Sequence, residues 1–173
     1  MVISSQPMLF AGRRMGRSER GFALSAARSR IFNNVLSERV VDRSWNQPLD
    51  GEVWMLGGTH SIFGPQPLDR ELQRRLQTFD IDPTGPLWGQ GELRSSGKVA
   101  EIERRIALAS GFAAGLEAAE LGQERRSLRV RPDRFSAEWE SDNILTLAFS
   151  LPSGCFATAV IREVCSTASA VSD

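Results

Sequence analysis

Between Phe135 and Leu151 the hydrophobic pattern of this chain changes period, and that change limits its fold more than any other feature. Phe135, Ala137 and Trp139 alternate with Ser136, Glu138 and Glu140; after Ser141-Asp142-Asn143, Leu145, Leu147, Phe149 and Leu151 alternate with Thr146, Ala148 and Ser150. Alternation at every second residue describes strands with one apolar face, and the Ser-Asp-Asn stretch is a turn signal. The spacing therefore predicts an antiparallel hairpin. A bare hairpin is marginal in water, so these strands should belong to a larger sheet, and little of the remaining chain supplies one.

The rest reads mainly as helix at a period of about 3.6 residues. Residues 22–43 form a long helix, with Leu24, Ala27, Ile31 and Val35 in register and Phe32 and Leu36 widening the stripe. Val53 to Leu56 is a short strand bounded by Asp50-Gly51 and Gly57-Gly58, and Ser61-Ile62-Phe63 is its partner. Asp69 and Glu71 open a short helix, as the macrodipole favours. Pro83-Thr84-Gly85-Pro86-Leu87-Trp88-Gly89-Gln90-Gly91 reads as a loop on its Gly and Pro content. A helix from Gly97 carries Val99, Ile102, Ile106 and Ala109 on one face, and a further helix spans Phe112 to Leu121 after a break at Gly111. The fold class is α/β in the α+β sense.

No apolar run reaches the ~18 residues of a spanning helix, and Met1 to Pro7 lacks the pattern of a signal peptide; a cytoplasmic setting follows by default. Cys155 and Cys165, ten residues apart on a helix, would stand ~15 Å from each other, too far for a disulfide. They are expected as small buried thiols, and His60 as a solvated loop residue. Two cysteines and one histidine make no convincing metal site. Gly12, Gly16 and Gly21 form no phosphate-binding fingerprint. Asp80 and Asp82, beside Pro83, read as solvated turn formers.

Net charge is zero, yet unevenly spread: residues 1–44 and 93–134 are basic, and residues 45–92 and 135–173 acidic. Lys98 is the only lysine among 21 basic residues. Arginine forks suit phosphate and base stacking, although a compositional habit of the source genome explains the same bias. Arg13, Arg14, Arg17 and Arg20 form one basic segment; Arg125, Arg126, Arg129 and Arg131 form another. Near the C-terminus, Leu151-Pro152-Ser153-Gly154-Cys155-Phe156 reads as a strand end and tight turn leading into a helix that holds Arg162-Glu163. Phe156 in that turn either caps the core or faces a ligand; Arg162 either pairs with an acid or meets a phosphate.

Several ordered segments resemble one family. Leu24-Ser25-Ala26-Ala27-Arg28-Ser29, followed by Phe32-Asn33 and Glu38-Arg39, resembles the LSAARS–x–x–FN–x–x–x–x–ER segment of the TruD family of tRNA pseudouridine synthases. Asp50-Gly51-Glu52 with Leu56-Gly57-Gly58, then Gly64-Pro65, Gly89-Gln90-Gly91-Glu92, Glu124-Arg125-Arg126-Ser127-Leu128 and the 151–164 stretch are similar to its later motifs, in order. The resemblance covers about residues 9–166.

That resemblance implies an isomerase converting uridine 13 of tRNA to pseudouridine by base flipping, with tRNA as partner and no cofactor or metal. Phe156 would stack on the flipped base or shape its pocket. Residues 9–130 would be most of the family's insertion domain. Residues 131–173 would be the last hairpin and helix of the catalytic domain, which accounts for the missing sheet; residues 1–8 would be a truncation scar. The family's catalytic Asp and its Asn-Tyr-Phe-Gly motif precede the LSAARS segment and are not found in this sequence, and Asp80 does not inherit the role. The expectation is therefore no catalytic residue in this chain, no activity by the chain alone, and a separate N-terminal catalytic half as a possible partner. Two other readings stay open: a stand-alone RNA-binding module, and a non-functional remnant with an incomplete sheet.

Overall fold

The structure, a computed structural model, describes residues 16–165. It divides into two compact units at Arg129/Val130. The first unit is built around its longest helix, α1 (Arg17–Val41), with Glu19 in the first turn and Arg39 in the last, each at the end its charge favours. Ala27, Ile31, Phe32 and Val35 are buried along one stripe, and Leu24 and Leu36 are half-buried beside them. Removing each large apolar side chain from water contributes about 1.5–3 kcal/mol, so this face, rather than helix propensity, seats α1. It packs on strand β3 (Ile81–Leu87) and on helix α3 (Gly97–Ser110).

The sheet of this unit runs β2-β1-β3-β4 and is antiparallel throughout, with β1 (Trp54–Leu56), β2 (Ile62–Phe63) and β4 (Glu124–Ser127) around β3. Trp54 lies opposite Phe63 on one side and Pro83 on the other. Trp54 and Ile81 bury themselves with Leu72 and Leu76 of helix α2 (Arg70–Gln77). The α2 N-terminus is capped by Asp69, whose side chain accepts the Leu72 N–H at 2.8 Å.

Residues 83–87, expected as part of a loop, are strand. The registered partner of β3 is β1 over residues 81–83 and β4 over 84–87. Each half thus pairs along one edge, which tolerates the missing N–H groups of Pro83 and Pro86. Gly85 has a separate reason: a Cβ there would stand 3.0 Å from the Phe32 ring and from Leu128. The absent side chain lets α1 settle on the strand. Trp88 and Gly89 follow as buried loop residues.

Helix α3 buries Val99, Ile102, Ile106 and Ala107. Ala109, expected on that face, is exposed, because the buried stripe shifts to Ala107 before the helix ends at Gly111, with φ of 72°. Helix α4 (Ala113–Ala118) is shorter than the sequence suggests. Glu120 turns left-handed at φ 59°, and the Leu121 carbonyl accepts the Gln90 N–H at 2.5 Å, drawing the chain out of the helix.

Gly51 fixes the start of α3. The Ser96 N–H donates to the Gly51 carbonyl and the Val99 N–H to that of Asp50, both at 3.2 Å. Gly51 has φ of +80°, and a Cβ would lie 1.8 Å from the Ser96 carbonyl oxygen. Left-handed backbone and a backbone clash add to about 2–5 kcal/mol. Gly51→Ala is therefore expected to lower unfolding stability by that amount in urea titration; a loss below ~1 kcal/mol would show that the turn relaxes freely.

The second unit holds the hairpin β5 (Asp133–Ser141) and β6 (Ile144–Ser150), with Ala137 opposite Leu147 and Trp139 opposite Leu145. Phe135 and Phe149 stack with ring centroids 6.0 Å apart. The two strands form a sheet by themselves. Its apolar face is open: Trp139 is 69% exposed, and Leu145, Leu147 and Phe149 are half-buried. Helix α5 (Ala157–Val164) follows, with Val160 buried. No described helix is long and apolar enough to cross a membrane.

Candidate nucleic-acid interface

The second unit carries Phe156 at the head of α5. The Cys155 N–H donates to the Pro152 carbonyl at 3.2 Å, and Gly154 takes φ of 86°, so the chain reverses tightly and sets Phe156 at the helix N-cap. Its ring is 76% exposed. Phe156 therefore does not cap a core within its unit. Arg162 is exposed in the last turn of the same helix.

Both thiols are exposed rather than buried. Cys155 belongs to the surface turn, and Cys165 sits beyond the last turn of α5, its Sγ 3.5 Å from the Ile161 carbonyl oxygen. The apolar side of α5 is instead Val160 with half-buried Ile161. His60 is exposed in its loop. No group of three His, Cys, Asp or Glu residues among the described residues could hold a metal ion.

The arginines of the first unit divide by what they touch. Arg17 and Arg20 stand exposed on the first turns of α1; Arg13 and Arg14 lie outside the described residues. Arg126 is exposed on β4, its guanidinium 5.1 Å from the centre of the Phe32 ring. Arg131, in the second unit, is also exposed.

Arg125 and Arg129 are engaged internally. Arg125 meets both Glu103 oxygens, at 2.6 and 3.1 Å, with 4% of its side chain exposed against 1% for Glu103. It also donates to the Thr84 hydroxyl and carbonyl oxygens, while Ser95 completes the carboxylate at 2.6 Å. Arg129 pairs with Asp82 at 2.5 Å, donates to the carbonyls of Leu76 and Ile81, and lies 4.3 Å from the centre of the Phe79 ring. Asp82 is thus a strand residue in an ion pair, not a solvated turn former. Asp80 is exposed and pairs with Arg75.

A second buried pair, Arg39 with Glu52 at 2.8 Å, was not anticipated from the sequence. Arg39 follows Val35 by four residues and continues the buried stripe of α1, the one signal that could have found it. Its guanidinium also donates to the carbonyls of Ser44 and Gln47. Burial pushes the Glu52 carboxyl above its ordinary 4.5, and the Arg39 charge opposes the rise. The Asp-Gly-Glu and Glu-Arg-Arg-Ser motifs therefore build the core and the ends of elements, leaving surface contact to fewer arginines.

An α+β unit with a four-stranded sheet is thus joined in sequence to an open hairpin and a short helix headed by an exposed aromatic. A protein from Xanthomonas campestris pv. campestris (strain B100) named tRNA pseudouridine synthase D is 51% identical over 156 residues, covering 88% of this chain and 42% of its own length. One of the same name from Nitrosococcus oceani is 45% identical over 160 residues, covering 90% and 44%. In three dimensions the chain is similar to a crystal structure from Methanosarcina mazei provisionally assigned as tRNA pseudouridine synthase D. Its TM-score is 0.63 at 24% identity over 85% of this chain and 38% of the other, and it speaks for the fold. The family model for tRNA pseudouridine synthase D (TruD) matches residues 11–164, and the chain belongs to that family. It spans about two fifths of the length of the curated relatives it matches.

Proposed function

We propose that this chain forms the C-terminal portion of a TruD-type enzyme that isomerises uridine 13 of tRNA to pseudouridine, with Phe156 stacking on the flipped base. The observation that carries the reading is the exposed Phe156 ring, held on a left-handed turn at the head of α5. Extruding a base costs a few kcal/mol of stacking, and an aromatic platform returns about 1–3 kcal/mol of it. The unit ending near residue 130 is assigned as most of the family's insertion domain, and the hairpin with α5 as the last piece of its catalytic domain. The open apolar face of the hairpin supports that assignment, since such a face is stable only against further structure.

The catalytic Asp is assigned outside this chain. Three aspartates of the first unit serve the fold: Asp69 caps α2, Asp80 pairs with Arg75 and Asp82 with Arg129. Phosphate contacts fall to the exposed arginines, Arg17, Arg20, Arg126, Arg131 and Arg162, joined by Arg13 and Arg14 of the N-terminal segment. Arg125 and Arg129 hold their unit together instead.

The test compares the complete natural protein with the 173-residue chain on unmodified tRNA, reading pseudouridine at position 13. Product is expected from the complete protein and none from the chain alone. Product from the chain alone would overturn the incompleteness; none from the complete protein would overturn the activity.

A further inference from the structure

The first unit contains a groove that neither the sequence motifs nor the reading above assigns. It lies where α1 passes the end of α3 and the start of α4, encloses about 590 Å³, and is lined by Ala23, Ala26, Arg30, Asn34, Ala109 and Phe112 among others. Ala23, Ala26, Arg30 and Asn34 recur at three- and four-residue steps and so share one side of α1. Their small members keep the floor low, and the two polar members stand along it.

Among the described residues that line the groove, Arg30 is the one ionisable group and none is an acid. Among the described residues neither the Arg30 nor the Asn34 side chain has a hydrogen-bond or ion-pair partner. The contrast with its neighbours on α1 is direct: Arg28 donates to the carbonyls of Leu87 and Gly122, and Arg39 is buried against Glu52. One turn before Ala26 stands Phe22, 76% exposed, and Arg17 and Arg20 are exposed nearby on the same helix. A second groove of about 520 Å³ near Trp88 is lined by both Glu92 and Arg104 and has no such cationic excess.

An unpaired guanidinium, an unpaired amide, an exposed aromatic and flanking arginines, with no carboxylate in the lining, fit a polyanion with stacking faces. Arginine suits phosphate through its fork, a side-chain amide suits a sugar hydroxyl, and an aromatic face stacks on bases. We propose that this groove is an RNA-binding subsite that takes a sugar–phosphate segment of the tRNA, with Arg30 on a phosphate, Asn34 on the ribose and Phe22 beside a base. The subsite rests on the tRNA reading above and adds to it an anchor on the first unit, remote in sequence from Phe156.

The experiment measures tRNA affinity of the complete natural protein against salt concentration, for wild type, Arg30→Gln, Arg30→Lys and Ala26→Leu. Losing one phosphate contact lowers the salt slope by about 0.7–0.9. Arg30→Gln is therefore expected to weaken binding about 5–10-fold and to flatten the slope by that amount, while Arg30→Lys keeps the slope. Ala26→Leu, which fills the floor, is expected to weaken binding with the slope unchanged. Melting temperatures should match wild type, because both positions are exposed. Wild-type affinity and slope in Arg30→Gln and Ala26→Leu would overturn the subsite and leave the tRNA reading standing. Failure of the wild-type protein to bind tRNA would overturn both.

Discussion

Glu103→Gln is expected to remove about 3–5 kcal/mol of stability, the penalty for breaking one half of a buried ion pair. Glu103 accepts both Arg125 nitrogens and the Ser95 hydroxyl in a setting almost closed to water. Neutralising it leaves the Arg125 guanidinium buried with a partner that no longer carries the opposite charge. Arg125 also ties β4 to β3 through Thr84, whose hydroxyl donates at 2.6 Å to the carbonyl of Val53, the residue that leads into β1. The loss should therefore spread across the sheet. Urea unfolding of the complete natural protein, followed by the fluorescence of buried Trp54 and Trp88, reads it directly. The double variant Glu103→Leu with Arg125→Met should recover most of the loss, since matched apolar groups remove the uncompensated charge. A Glu103→Gln protein within ~1 kcal/mol of wild type would mean that water reaches the pair.

Phe156→Ala is expected to act in the opposite way, sparing stability and damaging turnover. Its ring is 76% exposed, so truncation removes little packing and the unfolding midpoint should not move. Loss of a stacking platform worth about 1–3 kcal/mol corresponds to roughly 5–150-fold in kcat/KM at 1.4 kcal/mol per tenfold. Phe156→Trp keeps a stacking face and should retain most activity, whereas Phe156→Leu keeps bulk without one and should resemble the alanine variant. Full activity in Phe156→Ala would remove the ring from the nucleotide site. A destabilised variant with normal kcat/KM would return Phe156 to the role of a core cap.

These two positions also show how unevenly the sequence discloses function. Arg125 and Phe156 both fall in segments that resemble family motifs, and both were candidates for RNA contact. One is sealed against Glu103 and the other stands in solvent. A motif records that a residue type is required, not whether the requirement is structural. Arg129 makes the same point against Asp82, and Arg39 against Glu52. The arginine bias of the chain is therefore partly an internal matter: guanidiniums serve as bridges between strands and helices as well as a surface charge.

The separation between what was readable and what was not follows the range of the interactions. Local rules determined the elements whose residues satisfy one another nearby: the stripe of α1, the Asp69 cap of α2, the β1–β2 pair, the Gly111 stop and the alternating hairpin of residues 133–150. Residues 81–87 escaped those rules. Their Pro and Gly content argues against a strand, yet partners distant in sequence, β1 and β4, recruit each half of β3, and Phe32 of α1 occupies the space above Gly85. Tertiary structure alone decided which arginines are buried, that both thiols face solvent, and that Arg30 and Asn34 border a groove. Charge and burial are properties of a residue's neighbours in space. The sequence by itself settled the family, the existence of the helices and the hairpin, because periodicity and motif order are carried along the chain; the end of α4 and the division of the arginines between core and surface were set only when the sheet closed over them.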